Sequence, residues 1–142
     1  MSLIRIAAAV ILDADGRVLL VRKRGTHAFM LAGGKIDAGE TPLAALHREI
    51  EEELGCGIAG AVQPLGRFSA PAAFEVGHVV EADLFAVVLA GNIELAAEIE
   101  EIVWHDPNDL VSRPLAQLAQ THALPLARRL ARNDPTIPSP RA

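Results

Sequence analysis

Cysteine, tyrosine and positive charge are what this chain has least of. With Cys56 as its single cysteine it can form no internal disulfide, so a reducing compartment is the simpler expectation. Tyrosine is absent and tryptophan occurs once, which leaves Phe29, Phe68, Phe74, Phe85 and Trp104 as the whole supply of rings that could stack on a base. The 13 Lys and Arg are outnumbered by 18 Asp and Glu, a net charge of -5, and tracking nucleic-acid phosphates needs a cationic face. No apolar run approaches the roughly 20 residues that cross a bilayer. The N-terminal MSLIRIAAAVILDADG has no basic leader and runs straight into a turn signal, unlike a signal peptide. The expectation is a soluble cytoplasmic protein with neither nucleic acid nor membrane as partner.

Against those absences stand 142 residues of which 51% are hydrophobic, enough for one real core and too few for two. A single domain over residues 1–132 is expected. Beyond Arg132 the string NDPTIPSPRA holds three prolines and little to bury, and reads as a flexible tail. Leu3 to Leu12 and Arg17 to Arg22 read as two strands joined by a tight Asp-Gly turn. Gly25 to Gly34 reads as a loop-prone connector. A strand is expected from Val79 to Ala90, passing from half-exposed to buried, and another over Glu101 to Trp104. Phe85 and Trp104 read as core. Pro114 and Pro125 each suit the first turn of a short helix with leucines recurring behind it. Arg128, Arg129 and Arg132 crowd the end of the last one, where they favour the negative end of the helix dipole more readily than they form a phosphate clamp.

The chemistry concentrates in GGKIDAGETPLAALHREIEEELGC, between Gly33 and Cys56. Thr41 is a candidate N-cap, Pro42 fits the first turn and Gly55 supplies a left-handed stop, which predicts a helix from Pro42 to about Leu54. At roughly 100° per residue, Leu43, Leu46, Ile50 and Leu54 share one arc, the expected core face. Glu49, Glu52 and Glu53 share a second arc beside it, while Glu51 points away from both. Like charges at this spacing cost an isolated helix about 0.2–0.5 kcal/mol per pair, so something cationic should compensate. Hard divalent ions take oxygen ligands, and Mg²⁺ uses a few carboxylates while leaving room for water and phosphate. An ordinary solvated acidic face is the competing account. Arg48, beside Glu49 and within fold-back distance of Glu40, is suited to orient a carboxylate through a planar two-pronged hydrogen bond.

These residues resemble the Nudix box. Gly34, Glu40, Arg48, Glu49, Ile50, Glu52, Glu53 and Gly55 fill its positions without insertion, and Cys56 takes the last apolar position. The resemblance implies an α+β fold, an α/β/α sandwich with a mixed sheet between helices. It also implies a pyrophosphohydrolase that needs Mg²⁺, with Mn²⁺ as the alternative, and that cuts a phosphoanhydride bond in a nucleoside diphosphate linked to another group. Its ligands would be Glu49, Glu52 and Glu53 with the Gly33 carbonyl, and Glu40 would be held by Arg48 or act from behind the ligands. A further glutamate from a loop before a late strand is often added as base or ligand; Glu98 is the first candidate and Glu101 the second. The proline that commonly precedes the double glycine is Ala32. The asparagine that holds a purine in nucleotide-pool-cleaning members corresponds to Ala123, which puts purine recognition of that type in doubt.

Hydrolysis of a diphosphate places growing negative charge on the leaving phosphate, a need that divalent ions answer. Arg22, Lys23 and Arg24 at the end of the second strand, and Lys35 beside the double glycine, are the candidate phosphate contacts, with solvated charges as the alternative. Phe29 and Phe74 are the candidate rings for a base. The histidines show no metal-like spacing, and Cys56 reads as a packed apolar residue. Two rivals remain. An isomerase on the same fold would need a catalytic cysteine and a tryptophan-lined pocket, for which one of each is too few. A catalytically silent nucleotide-sensing module would usually lack box carboxylates, and none is missing. The nucleoside derivative, the bond cut and the choice of monomer or homodimer stay open.

Overall fold

A computed structural model describes residues 2–73 and 75–132. Strand β1 (Ser2–Val10) lies inside a four-stranded mixed sheet, antiparallel to β3 (Ala32–Lys35) on one side and parallel to β5 (His78–Ala90) on the other. The antiparallel edge strand β4 (Gly57–Pro71) completes that sheet, while β2 (Val18–Lys23) and β6 (Ile99–His105) form a second, two-stranded one. Helix α1 (Pro42–Leu54) covers one face. A π-helical turn, Ala119–Ala123, running into α2 (Leu124–Ala131), covers the other.

The continuous apolar runs exist because both faces are covered, which removes the polar half of the usual strand alternation. Ala7, Ala9 and Ile11 pack with Leu46, Ile50 and Leu54 of α1, whereas Ala8 and Val10 pack with Leu124, Leu126 and Ala127 of α2. Strand β2 splits in the same way, Leu19 and Val21 to one side and Val18 and Leu20 to the other. An α+β sandwich of this kind is the fold class expected from the box.

Several local expectations are corrected. The first two strands do meet at the Asp-Gly turn, through Asp13 N–H to Arg17 O at 2.9 Å and Leu19 N–H to Ile11 O at 2.9 Å, but they then diverge into different sheets. The connector after Gly25 contains β3, because Gly33 and Gly34 pair with Ala8 and Ala7 of β1. The 15-residue β4 carries Gly60, Pro64 and Gly66, and its pairing with β5 shifts between Ala59 and Gln63 and between Pro64 and Gly66. An edge strand tolerates such bulges and a missing N–H. Pro114 starts no helix; its carbonyl accepts from Phe29 N–H at 2.9 Å. Helical backbone instead runs without a break over 117–131, with Pro125 inside it. Proline cannot donate to the carbonyl four residues back and clashes with it, and the wider π turn just before it relieves both. Trp104 is 37% exposed rather than core, while Phe85 is buried. The expected tail, 133–142, lies outside the described residues. Among the described residues no helix is long and apolar enough to cross a membrane, which leaves membrane-crossing strands untouched.

Candidate active site

Helix α1 has the limits its caps dictate. The Thr41 side chain accepts from Ala44 N–H, Pro42 opens the first turn, and Gly55 at φ 65° ends it with its N–H on Glu51 O. Its buried face comprises Ala45, Leu46, Ile50, Glu53 and Leu54. Leu43 is 43% exposed, because the first turn projects past the core. The substantive difference is Glu53, a carboxylate on the core face at 1% exposure.

Glu53 Oε1 accepts from Gly33 N–H at 3.0 Å, and Oε2 lies 3.8 Å from Lys23 Nζ. Burial pushes its carboxyl up to about 7; Gly33 N–H and Lys23 pull it back, while the nearby Glu49 and Glu98 carboxylates add to the rise. Glu49 presses on the other glycine. A Cβ on Gly34 would come within 2.5 Å of the Glu49 carboxyl, and one on Gly33, at φ 149°, would overlap the Ala7 carbonyl oxygen. Only a strand without side chains brings β1 and the acidic edge of α1 this close.

Arg48 fixes the remaining acids. Its Nε and Nη2 donate to the two oxygens of Glu40, each at 2.7 Å, and Nη1 donates to Glu49 Oε2 at 2.7 Å and reaches Glu52 Oε2 at 3.5 Å. Nη2 also donates to Lys35 O at 3.0 Å. The guanidinium holds the Glu40 carboxyl down to about 2, helped by Asp37 N–H, and the same hydrogen bonds push Arg48 above its ordinary value. Arg48 thereby ties the loop carrying Glu40 to the helix carrying Glu49.

A cavity of about 420 Å³ opens beside these residues, with Lys23, Gly33, Gly34, Lys35, Glu49, Glu52, Glu75 and Glu98 at its charged part. Glu98 arrives there because its loop caps the end of α1: Glu94 N–H donates to Leu54 O at 2.7 Å and Ala96 N–H to Glu53 O at 3.1 Å. Those carbonyls would otherwise be without partners at a helix C-terminus. A broader cavity of about 610 Å³, lined by Arg17, Asp106 and Arg128 among others, contains no residue of the box.

The structure sorts the other candidates. Lys23 and Lys35 line the site, Lys35 with its Nζ 3.6 Å from Glu75. Arg22 and Arg24 do not: Arg22 pairs with Glu101 at 2.9 Å and donates to Thr26 O, and Arg24 pairs with Glu100 at 2.8 Å and donates to Ala97 O. Together with Arg24 N–H on Glu98 O at 2.8 Å, these bonds brace the turn that carries Glu98 and the strand after it. Glu101 is spent on Arg22 outside the cavity. Phe29 is 6% exposed with the Arg22 and Arg113 guanidinium groups 5.9 and 5.6 Å from its ring centre, so it is core and no stacking platform. Phe74 lies outside the described residues. Cys56 is buried, and burial pushes its thiol up. His105, wholly buried, accepts from Arg113 at Nδ1 and donates from Nε2 to Asp109 O, a structural use. Arg128 donates to Pro107 O. Sequence reasoning missed the apolar floor of the cavity, Ile4, Ile6 and Val80, although the alternation of Ile4 and Ile6 with Arg5, and of Val80 with Glu81, was a readable signal.

Residues 3–128 match the family model for the NUDIX domain. The chain belongs to that family. It is 31% identical over 108 residues to the ADP-ribose pyrophosphatase of Methanocaldococcus jannaschii, an alignment covering 74% of this chain and 63% of that protein. It thus spans less than two thirds of that relative's length. To the CTP pyrophosphohydrolase of Escherichia coli K12 it is 31% identical over 121 residues, 82% of this chain and 85% of that one. Among solved structures, the MutT NUDIX hydrolase of Burkholderia pseudomallei superposes with a TM-score of 0.74 at 27% identity, over 88% of this chain and 98% of that one. The segment that resembles the Nudix box, Gly34 to Cys56, lies within the matched residues.

Among the described residues, no three acidic, histidine or cysteine side chains sit at metal-ligand spacing, since Glu53 turns inward to Gly33 and Glu49 toward Arg48. The donor set nevertheless fits a hard cation. Glu49, Glu52, Glu53 and Glu98 crowd one region, where Arg48 pairs with Glu49 and Glu52 and Lys23 lies 3.8 Å from Glu53; burial, with the Glu49 and Glu98 carboxylates adding to it, keeps the Glu53 carboxyl raised in spite of Lys23.

Proposed function

We propose that this chain, with residues 1–132 acting as one domain, is a Mg²⁺-dependent pyrophosphohydrolase that cuts a phosphoanhydride bond in a nucleoside diphosphate linked to a further group. The observation that carries the reading is a cavity with carboxylates, two lysines and a bare glycine strand at one part and apolar side chains at the other. A substrate with a polyanionic segment joined to a less polar body matches both parts. Relatives named for ADP-ribose and CTP act on compounds of that build.

Glu49, Glu52 and Glu53, with the Gly33 carbonyl, would hold the ion, which supplies positive charge against the phosphate oxygens and the leaving phosphate. Lys23 and Lys35 add fixed positive charge at the cavity wall. Arg48 keeps Glu49 and Glu40 in one orientation, so that little rearrangement accompanies binding. Glu98, whose loop is fixed by Arg24 and the end of α1, would take the proton from the attacking water at its carboxylate.

The test is a panel of nucleoside triphosphates, nucleotide sugars and dinucleoside polyphosphates incubated with Mg²⁺, with products identified by mass. Cleavage of at least one member into two phosphorylated products is expected. Binding of panel members with no cleavage at all would instead establish a silent sensing module.

A further inference from the structure

We infer that the group attached to the diphosphate is selected by shape and not by hydrogen bonds, so that the chain takes the common nucleobases almost evenly. The inference rests on the proposed function for the location of the substrate and adds its selectivity.

The cavity supplies two independent observations. Among the described residues, every uncharged side chain that lines it is aliphatic or a thioether, with no hydroxyl, amide, imidazole or phenol. Its floor is the uncovered end of the sheet, where Ile4, Ile6 and Val80 stand half-buried before Ala8 and Ala82 continue beneath the second helix. Leu118 and Ala119 form the facing wall. The second observation concerns the helix itself. Its π turn takes Ala123, the position that the resemblance aligned with a purine-holding asparagine, to 0% exposure in the core, where it faces packed hydrocarbon.

The charged residues cannot take over that role while they serve the diphosphate, because Lys23, Lys35, Glu49, Glu52 and Glu98 belong to the phosphate part of the cavity and Glu75 is paired with Lys35 at 3.6 Å. A hydrophobic pocket discriminates related groups by only about 10- to 200-fold, whereas a site built to hydrogen-bond its ligand rejects the wrong one by roughly 10⁴-fold or more. Bases that differ in their donors and acceptors therefore meet the same hydrocarbon surface.

The experiment titrates the full chain, with Mg²⁺, against ADP, GDP, CDP, UDP and ribose 5-diphosphate by calorimetry. The four nucleotides are expected to bind within about 200-fold of one another, all more tightly than the base-free ligand. Val80→Ala, checked for folding by its thermal transition, should weaken all four by a similar factor and leave ribose 5-diphosphate unchanged. One nucleotide bound more than a thousandfold above the rest, no preference over the base-free ligand, or no binding by any of the four overturns the inference; the wild-type comparison decides even if the variant fails to fold. Even binding of these four together with no cleavage of any triphosphate, nucleotide sugar or dinucleoside polyphosphate refutes the proposed function alone, and cleavage of such compounds confined to one base refutes this inference alone.

Discussion

The two helical layers put opposite kinds of surface on the same cavity. Helix α1 brings its acidic edge, with a carboxylate sunk to 1% exposure and an arginine clamped between three glutamates. The π turn ahead of α2 brings Leu118 and Ala119 and no charge. Burying charge on one side costs stability that must be recovered by partners, here Gly33 N–H, Lys23 and Arg48. Burying hydrocarbon on the other side contributes it, roughly 1.5–3 kcal/mol for each fully buried leucine such as Leu124. On the proposed function the acidic side carries the chemistry and the apolar side the recognition, so changes to the two sides should fail differently.

The sharpest break is on the acidic side. Glu52→Gln or Glu53→Gln should lower turnover by about 10²–10⁴-fold with the thermal transition retained, and near-normal kcat in both would place the chemistry elsewhere. Arg48→Lys should cost about 10–100-fold, because an ammonium cannot span both Glu40 oxygens while holding Glu49; kcat is the readout, with substrate affinity as the control. Gly34→Ala should come next, roughly tenfold or more, since its new Cβ displaces the Glu49 carboxyl. A variant as active as the parent would show that the position of Glu49 is immaterial.

A pH series examines the cost of the buried acid. The Glu53 carboxyl loses its proton near 4.5 when unfolded and near 7 when folded, so the folded chain binds more protons between those values. Stability from this group is therefore present below pH 4.5 and lost as pH rises through 7. With chelator present, the melting temperature of the parent relative to Glu53→Gln should fall from pH 5 to pH 8. A difference independent of pH would mean that Glu53 is not strained in its charged form. The smallest effect belongs to the apolar side: His122→Ala removes the Nε2 contact to Ser69 O at 3.0 Å, about 0.5–1.5 kcal/mol of stability, with turnover unchanged.

What could be read from the chain follows the range of the forces involved. The limits of α1 were legible because Thr41, Pro42 and Gly55 act within one turn of themselves. The two-pronged grip of Arg48 on Glu40 was legible from spacing along one helix and its adjoining loop. Strand β3 was hidden because two of its four residues are glycine, kept for a close approach that only the packed fold explains. Strand β4 was hidden by Pro64, Gly60 and Gly66, which a bulged edge accommodates. Arg22 and Arg24 looked like phosphate ligands since Glu101 and Glu100, their partners, are more than 70 residues away in sequence. The inward turn of Glu53 had no local signal either; it depends on Gly33 arriving from another strand.

On the proposed function, the acidic end of this cavity should work only with a divalent ion. Turnover of a diphosphate-linked nucleotide should be followed in Mg²⁺, then with excess chelator, then with Mg²⁺ restored. Loss and recovery of product release across those three conditions is the predicted result. Product release that continues unchanged in chelator would contradict it.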